Sequence, residues 1–172
     1  MSNAKFPLNW GPILRVRRNH ALEHATLQIL AEKNAATRLS GLSGTFGFWV
    51  LGEVDSEDLV AATQEARRRL IAGEHQLAIH PNCGTNFVTA GFIGGLFAWL
   101  ASLGMRKTWR DRLDRLPNII SLVTLGLIIA QPLGPKMQEW VTTESQLGNL
   151  HITGVQRFVE RKPPAHRVLT EE

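Results

Sequence analysis

His20, Glu23 and His24 fall within the five residues HALEH. The surrounding stretch carries Ile13, Val16, Leu27 and Leu30 at helical spacing, which predicts a helix from Pro12 to about Asn34. On a helix, positions i and i+4 share a face, with Cβ atoms about 5–6 Å apart. Two imidazoles so placed can bind one metal ion, and a neighbouring carboxylate can serve as a general base for hydrolysis. Two ligands rarely hold zinc, so a third must come from a distant segment. The turn His80-Pro-Asn-Cys83-Gly-Thr-Asn is the best source. It offers an imidazole and a thiolate, both good zinc ligands, on a backbone shaped by Pro81 and Gly84. Glu74, His75 and His151 are weaker alternatives. The competing reading is structural: histidines hydrogen-bonded within a packed helix, and a polar turn that ends a strand. Cys83 is the single cysteine, which excludes an internal disulfide framework.

The order H-x-x-E-H resembles the inverted zinc motif of the inverzincin metallopeptidases. That resemblance implies His20 and His24 as ligands and Glu23 as general base. It covers these five residues alone. The downstream glutamate that completes the site in those enzymes would fall in an uncharged stretch here, so the likeness bears on local chemistry and not on family membership.

That uncharged stretch runs from Pro81 to Met105, and a second follows from Asn118 to Pro135. Each can cross a hydrocarbon core of ~30 Å, which takes ~20 residues of helix. Lipid cannot satisfy a free backbone, so both must be helical there. The two runs predict a transmembrane helical hairpin over 85–135. Gly91 and Gly95 form a G-x-x-x-G on the first run, which predicts close approach of the second run at Gly126. Pro132 and Pro135 are expected to end or kink the second helix. The intervening loop carries Arg106, Lys107, Arg110, Arg112 and Arg115 against Asp111 and Asp114, with Trp109 as an interfacial anchor. Charge bias alone would make that loop cytoplasmic. Opposing this, MSNAKFPLNWGPILRVRRNH lacks the ~7–15-residue apolar core of a signal peptide that would translocate the N-terminal region. The reading adopted is an integral inner-membrane protein with its globular part cytoplasmic.

Outside the hairpin the chain reads as soluble, with 20% charged residues over its 172 positions. The net charge of +4 arises from intermixed Lys, Arg, Asp and Glu, without the concentrated basic stripe that nucleic acid requires. Arg15, Arg17 and Arg18, and likewise Arg67, Arg68 and Arg69, read as solvated helix faces. After the first helix, RLSGLSGTFGFWVLGEV predicts a β-hairpin. Asp55-Ser-Glu-Asp starts an acid-capped helix that ends at Gly73. HQLAIH alternates like a short strand, and LHITGVQRFVERKPPAHRVLT reads as two strands about a Lys-Pro-Pro turn. The expected fold class is α+β: a small αββαβ(ββ) domain, built from 1–84 and 136–172, with a two-helix transmembrane hairpin inserted.

Taken together, RNHALEHATLQIL, GEHQLAIHPNCGTN and the two apolar helices resemble an uncharacterised family of two-helix bacterial membrane proteins, of cyanobacterial and Chloroflexi type. The resemblance covers most of residues 15–160. It implies the architecture and brings no established activity. The function expected from the residues is a membrane-anchored protein with a zinc site at the membrane–water boundary, acting as a metal-dependent hydrolase. The site would comprise His20, His24, His80 and Cys83, with Glu23 as base. Two other classes remain: a non-catalytic subunit that assembles with other membrane proteins, and a binder of an apolar cofactor such as a tetrapyrrole.

Overall fold

The computed structural model describes residues 8–34, 38–104 and 108–172. Ala35 and Ala36, and Arg106 and Lys107 of the connecting loop, lie outside these, as do the first seven residues. The chain divides into two compact units, one of residues 1–80 with 139–172 and the other of residues 81–138.

The first unit is mixed helix and sheet, in the expected α+β class. Helix α1 (Gly11–Lys33) begins with Pro12 in its first turn, and α2 (Ser56–Ile71) begins at Asp55, whose side chain accepts the Glu57 amide. Beyond α2, Gly73 adopts φ +101°, a conformation that only glycine takes readily. Strands β1 (Ser40–Gly44), β2 (Gly47–Leu51), β3 (His151–Phe158) and β4 (Ala165–Glu171) form one antiparallel sheet in the order β1-β2-β4-β3. The two C-terminal strands thus join the N-terminal hairpin through β2 and β4, with Phe48 opposite Val168. Phe48, Val50 and Val168 point from the sheet into a core with Leu22, Ala25 and Ile29 of α1 and Leu59, Ala62, Ala66 and Leu70 of α2. Alanines at the helix contacts bring α1 and α2 close together, which suits ridge-into-groove packing.

One expected strand is absent. His75–Ala78 is a 3-10 turn, because α1 takes the carbonyls that a sheet would otherwise use. Gln28 Nε2 donates to Leu77 O at 2.8 Å and Ile79 O at 3.1 Å, and His24 Nδ1 lies 2.7 Å from Ala78 O.

The second unit pairs α3 (Gly84–Ser102) with α4 (Trp109–Met137). Both are long and apolar enough to cross a membrane. Gly126 of α4 lies in the contact as expected, but α3 meets it along a different face from the expected G-x-x-x-G. A Cβ on Gly91 or Gly95 would meet nothing within 4 Å among the described residues, so that stripe faces away from α4. Gly94 faces it instead, where a Cβ would lie 3.4 Å from the Leu127 side chain. From α4, Gly126 sits against Phe97 and Gly134 against Asn86, with buried Ala130 between them. This small-xxx-small spacing lets large side chains of α3 seat against the α4 backbone. Nor do the prolines end α4: Pro117, Pro132 and Pro135 all lie inside it, and it passes into a π-helical turn at Gln138–Thr142. Within the unit, Asn86 donates to Pro81 O and accepts from Gln138 Nε2, each at 2.7 Å.

In the sheet, His166 is 1% exposed. Its Nε2 lies 3.0 Å from Ser56 Oγ, and its Nδ1 has no hydrogen-bond partner among the described residues. Burial, reinforced by Arg157, holds its pKa below the ordinary histidine value, while Asp55 opposes. The unfolded chain therefore binds this proton at a higher pH than the folded one. Between the lowered pKa and about 6.5, stability must rise with pH. Urea midpoints of the purified protein should fall as pH drops below about 6.5, and His166→Gln should flatten that slope. An unchanged slope would assign the pH dependence to other groups.

Candidate metal centre

Helix α1 is buried on most sides, so its polar side chains must find partners in the protein. Asn19, fully buried, donates to Gly44 O at 2.8 Å and accepts from Thr170 Oγ1 at 2.7 Å. Arg17 is 2% exposed, against the expectation of a solvated face. Its guanidinium donates to Val141 O at 2.7 Å and Thr143 O at 2.8 Å. Burial lowers its pKa, and Glu144 at 3.5 Å opposes that shift. Arg67 is also engaged, donating to Leu150 O at 2.7 Å, whereas Arg68 pairs with Glu65 at the surface.

The histidines follow the same rule. His20 Nδ1 lies 2.9 Å from Thr142 O, at the end of the π-helical turn, and His24 Nδ1 lies 2.7 Å from Ala78 O. A carbonyl only accepts, so each Nδ1 carries the proton and, in the neutral ring, each Nε2 holds the lone pair. The two rings meet edge-on with centroids 4.3 Å apart. His80 joins them: its ring lies 5.5 Å from that of His24. His20, His24 and His80 all belong to the first unit, whereas Cys83 belongs to the second. Cys83 is buried and also caps α3, its Sγ accepting from Thr85 N at 3.4 Å.

Imidazole nitrogens suit a borderline-soft divalent ion such as zinc. An Nδ1–H donated to a backbone carbonyl is also the support that metal-bound histidines commonly have. The donor set therefore fits the ion. Glu23 is placed differently. It is 4% exposed, and its carboxylate accepts a short hydrogen bond from Ser43 Oγ on β1. Gly41 of the same strand lies so near that a Cβ there would overlap the carboxylate. Of the weaker alternatives, His75 lines a polar cavity of about 420 Å³ with Glu139 and Glu144, and His151 is exposed on β3.

A family model described as a domain of unknown function, DUF6391, matches residues 15–155. The chain belongs to this family. An uncharacterised protein of Picosynechococcus sp. is 36% identical over 171 residues, covering 91% of this chain and 79% of the relative. No solved structure matches the chain. The DUF6391 match includes His20, Glu23, His24, His80 and Cys83.

Sequence reasoning missed the partners that orient the site, namely Arg17, Asn19, Gln28, Ser43 and the carbonyls of Ala78 and Thr142. A signal for three of them was present: Arg17, Asn19 and Gln28 share the helix with the apolar positions, where a solvated helix would carry only exposed polar groups. The carbonyls leave no trace in side-chain type.

The fit of Gly41 to Glu23 is testable. Gly41→Ala should destabilise the fold by about 1–3 kcal/mol, the usual range for overpacking. In a Glu23→Ala background the loss should largely vanish, as read from thermal or urea midpoints. Additive losses would show that the two positions are not in contact.

Proposed function

We propose that the chain is a membrane-anchored metalloprotein in which His20 and His24, with His80 beside them, hold one zinc ion used for hydrolysis. The observation that carries this reading is the pair of Nδ1–carbonyl contacts. They put the lone pair of both rings on Nε2 while the rings stand 4.3 Å apart. Two adjacent imidazoles committed to the same acceptor nitrogen suit a shared cation better than they suit each other. An ion bound there would supply a Lewis acid for a substrate carbonyl. Glu23 is the proton acceptor of the proposal, its carboxylate positioned by Ser43 and confined by Gly41.

The anchoring half of the reading rests on α3 and α4. Phe87, Phe92, Ile120 and Ile128 are all more than half exposed, a pattern that lipid relieves and water does not. Because β2 pairs with β4, the segments before and after the hairpin fold as one body and must share one side of the bilayer. We assign that side to the cytoplasm and the bilayer to the inner membrane.

Purified from membranes in detergent, the protein should carry about one equivalent of zinc, and His24→Ala should lose it. Glu23→Gln should keep the metal and lose hydrolysis of peptide or acyl-ester probes by about 10²–10⁴-fold, the usual contribution of a general base. Wild-type protein that binds added zinc no better than His24→Ala would refute the site. Unaltered hydrolysis in Glu23→Gln would leave that carboxylate a purely structural role. Separately, carbonate-washed membranes should retain the protein, and recovery in the soluble fraction without detergent would overturn the anchoring.

A further inference from the structure

A groove of about 450 Å³ runs along α1 and is lined by Pro12, Ile13, Val16, Arg17, His20, Thr45 and Thr142. Its size is that of an ordinary ligand pocket, a cleft of ~300–1,000 Å³ with an apolar wall and few polar groups. The α1 residues follow at steps of one, three, one and three, so they form one stripe of the helix. From Pro12 to His20 that stripe spans about 12 Å, at ~1.5 Å per residue. His20 closes its C-terminal end. The groove is therefore continuous with the proposed metal centre.

Its wall narrows the occupant. Pro12, Ile13 and Val16 offer only carbon. The one charged neighbour, Arg17, has turned its guanidinium to Val141 O and Thr143 O, where it already serves buried carbonyls. An anionic headgroup would have to compete with those bonds. Thr142 O is held by His20. A peptide strand in the groove would bury amides and carbonyls against this apolar surface, at a cost of ~1–3 kcal/mol for each group left unpaired. An aliphatic chain carries no such groups.

We infer that the substrate of this site is an acylated amphiphile, whose unbranched hydrocarbon chain lies along Pro12, Ile13 and Val16 and whose carbonyl head reaches His20. This rests on the metal reading above and narrows its substrate from a peptide or acyl ester to the acylated amphiphile.

A series of alkyl hydroxamates separates the two claims, since the head chelates metal and only the chain length varies. The probe is the full-length protein in nanodiscs loaded with Co²⁺, whose visible spectrum reports the head. Affinity should rise about fourfold per methylene from acetyl toward octanoyl, the increment for burying one CH₂. Val16→Trp, which fills the groove, should lower the octanoyl-to-acetyl affinity ratio severalfold. If that variant fails to fold, Ile13→Phe should lower the ratio in the same direction. A flat series in the wild type, with metal-dependent acetohydroxamate binding intact, would overturn the groove and leave the metal centre standing. A rise that the groove variants do not touch would assign the chain to the bilayer and also overturn it. Absence of metal-dependent binding by any hydroxamate would remove the metal centre, and the substrate assignment with it.

Discussion

The first unit depends on one constraint: buried backbone polar groups must be paired, and two of its short turns leave carbonyls that no sheet or α-helix pairs. The 3-10 turn at His75–Ala78 and the π-helical exit at Gln138–Thr142 both present carbonyls to α1. The helix answers with side chains. Gln28 and His24 serve Leu77, Ala78 and Ile79, while Arg17 and His20 serve Val141, Thr142 and Thr143. An apolar α1 of the same shape would strand these carbonyls at ~1–3 kcal/mol each. The helix is thus a polar spine inside a small core, which is why an arginine and an asparagine can lie buried on it.

The candidate site grows out of that spine. The histidines are fixed as backbone donors through Nδ1, and the same bonds leave Nε2 as the acceptor nitrogen of each ring. Structural hydrogen bonding and metal ligation are often set against each other as readings of a helical histidine pair. The two are compatible here, because a ligand must be held in its tautomer and orientation. Glu23, one residue away, is held by a separate device on β1, the Ser43 hydroxyl and the space beside Gly41. A buried carboxylate needs a donor and a close fit, and a strand with glycine and serine on its inward face gives both.

The hairpin obeys other rules. Contact between α3 and α4 runs along small residues and a few polar bonds. Gly126, Ala130 and Gly134 make the seam from α4, and Asn86 and Gln138 form a polar pair within it. Three prolines persist within α4. Each removes an amide donor, yet the helix continues past all three to Met137.

The α+β class, the two apolar helices, the acid-capped start of α2 and the grouping of His20, Glu23 and His24 are local properties. Periodicity, charge and i,i+4 spacing reveal them, because each depends on residues within a turn or two of one another. Which small residues form the hairpin seam was not legible: Gly91 and Gly95 make the better motif, yet rotation of α3 about its axis turns Gly94 to the partner. The fate of HQLAIH was equally hidden. Its alternation suits a strand, but strand or turn is decided by whichever partner claims the carbonyls, and α1 claims them. The burial of Arg17 and the tautomers of His20 and His24 likewise follow from carbonyls more than fifty residues away, since His24 and Ala78 stand 54 positions apart and His20 and Thr142 stand 122 apart. Side-chain chemistry is written in the sequence, while the backbone atoms it meets are set only when the chain has folded.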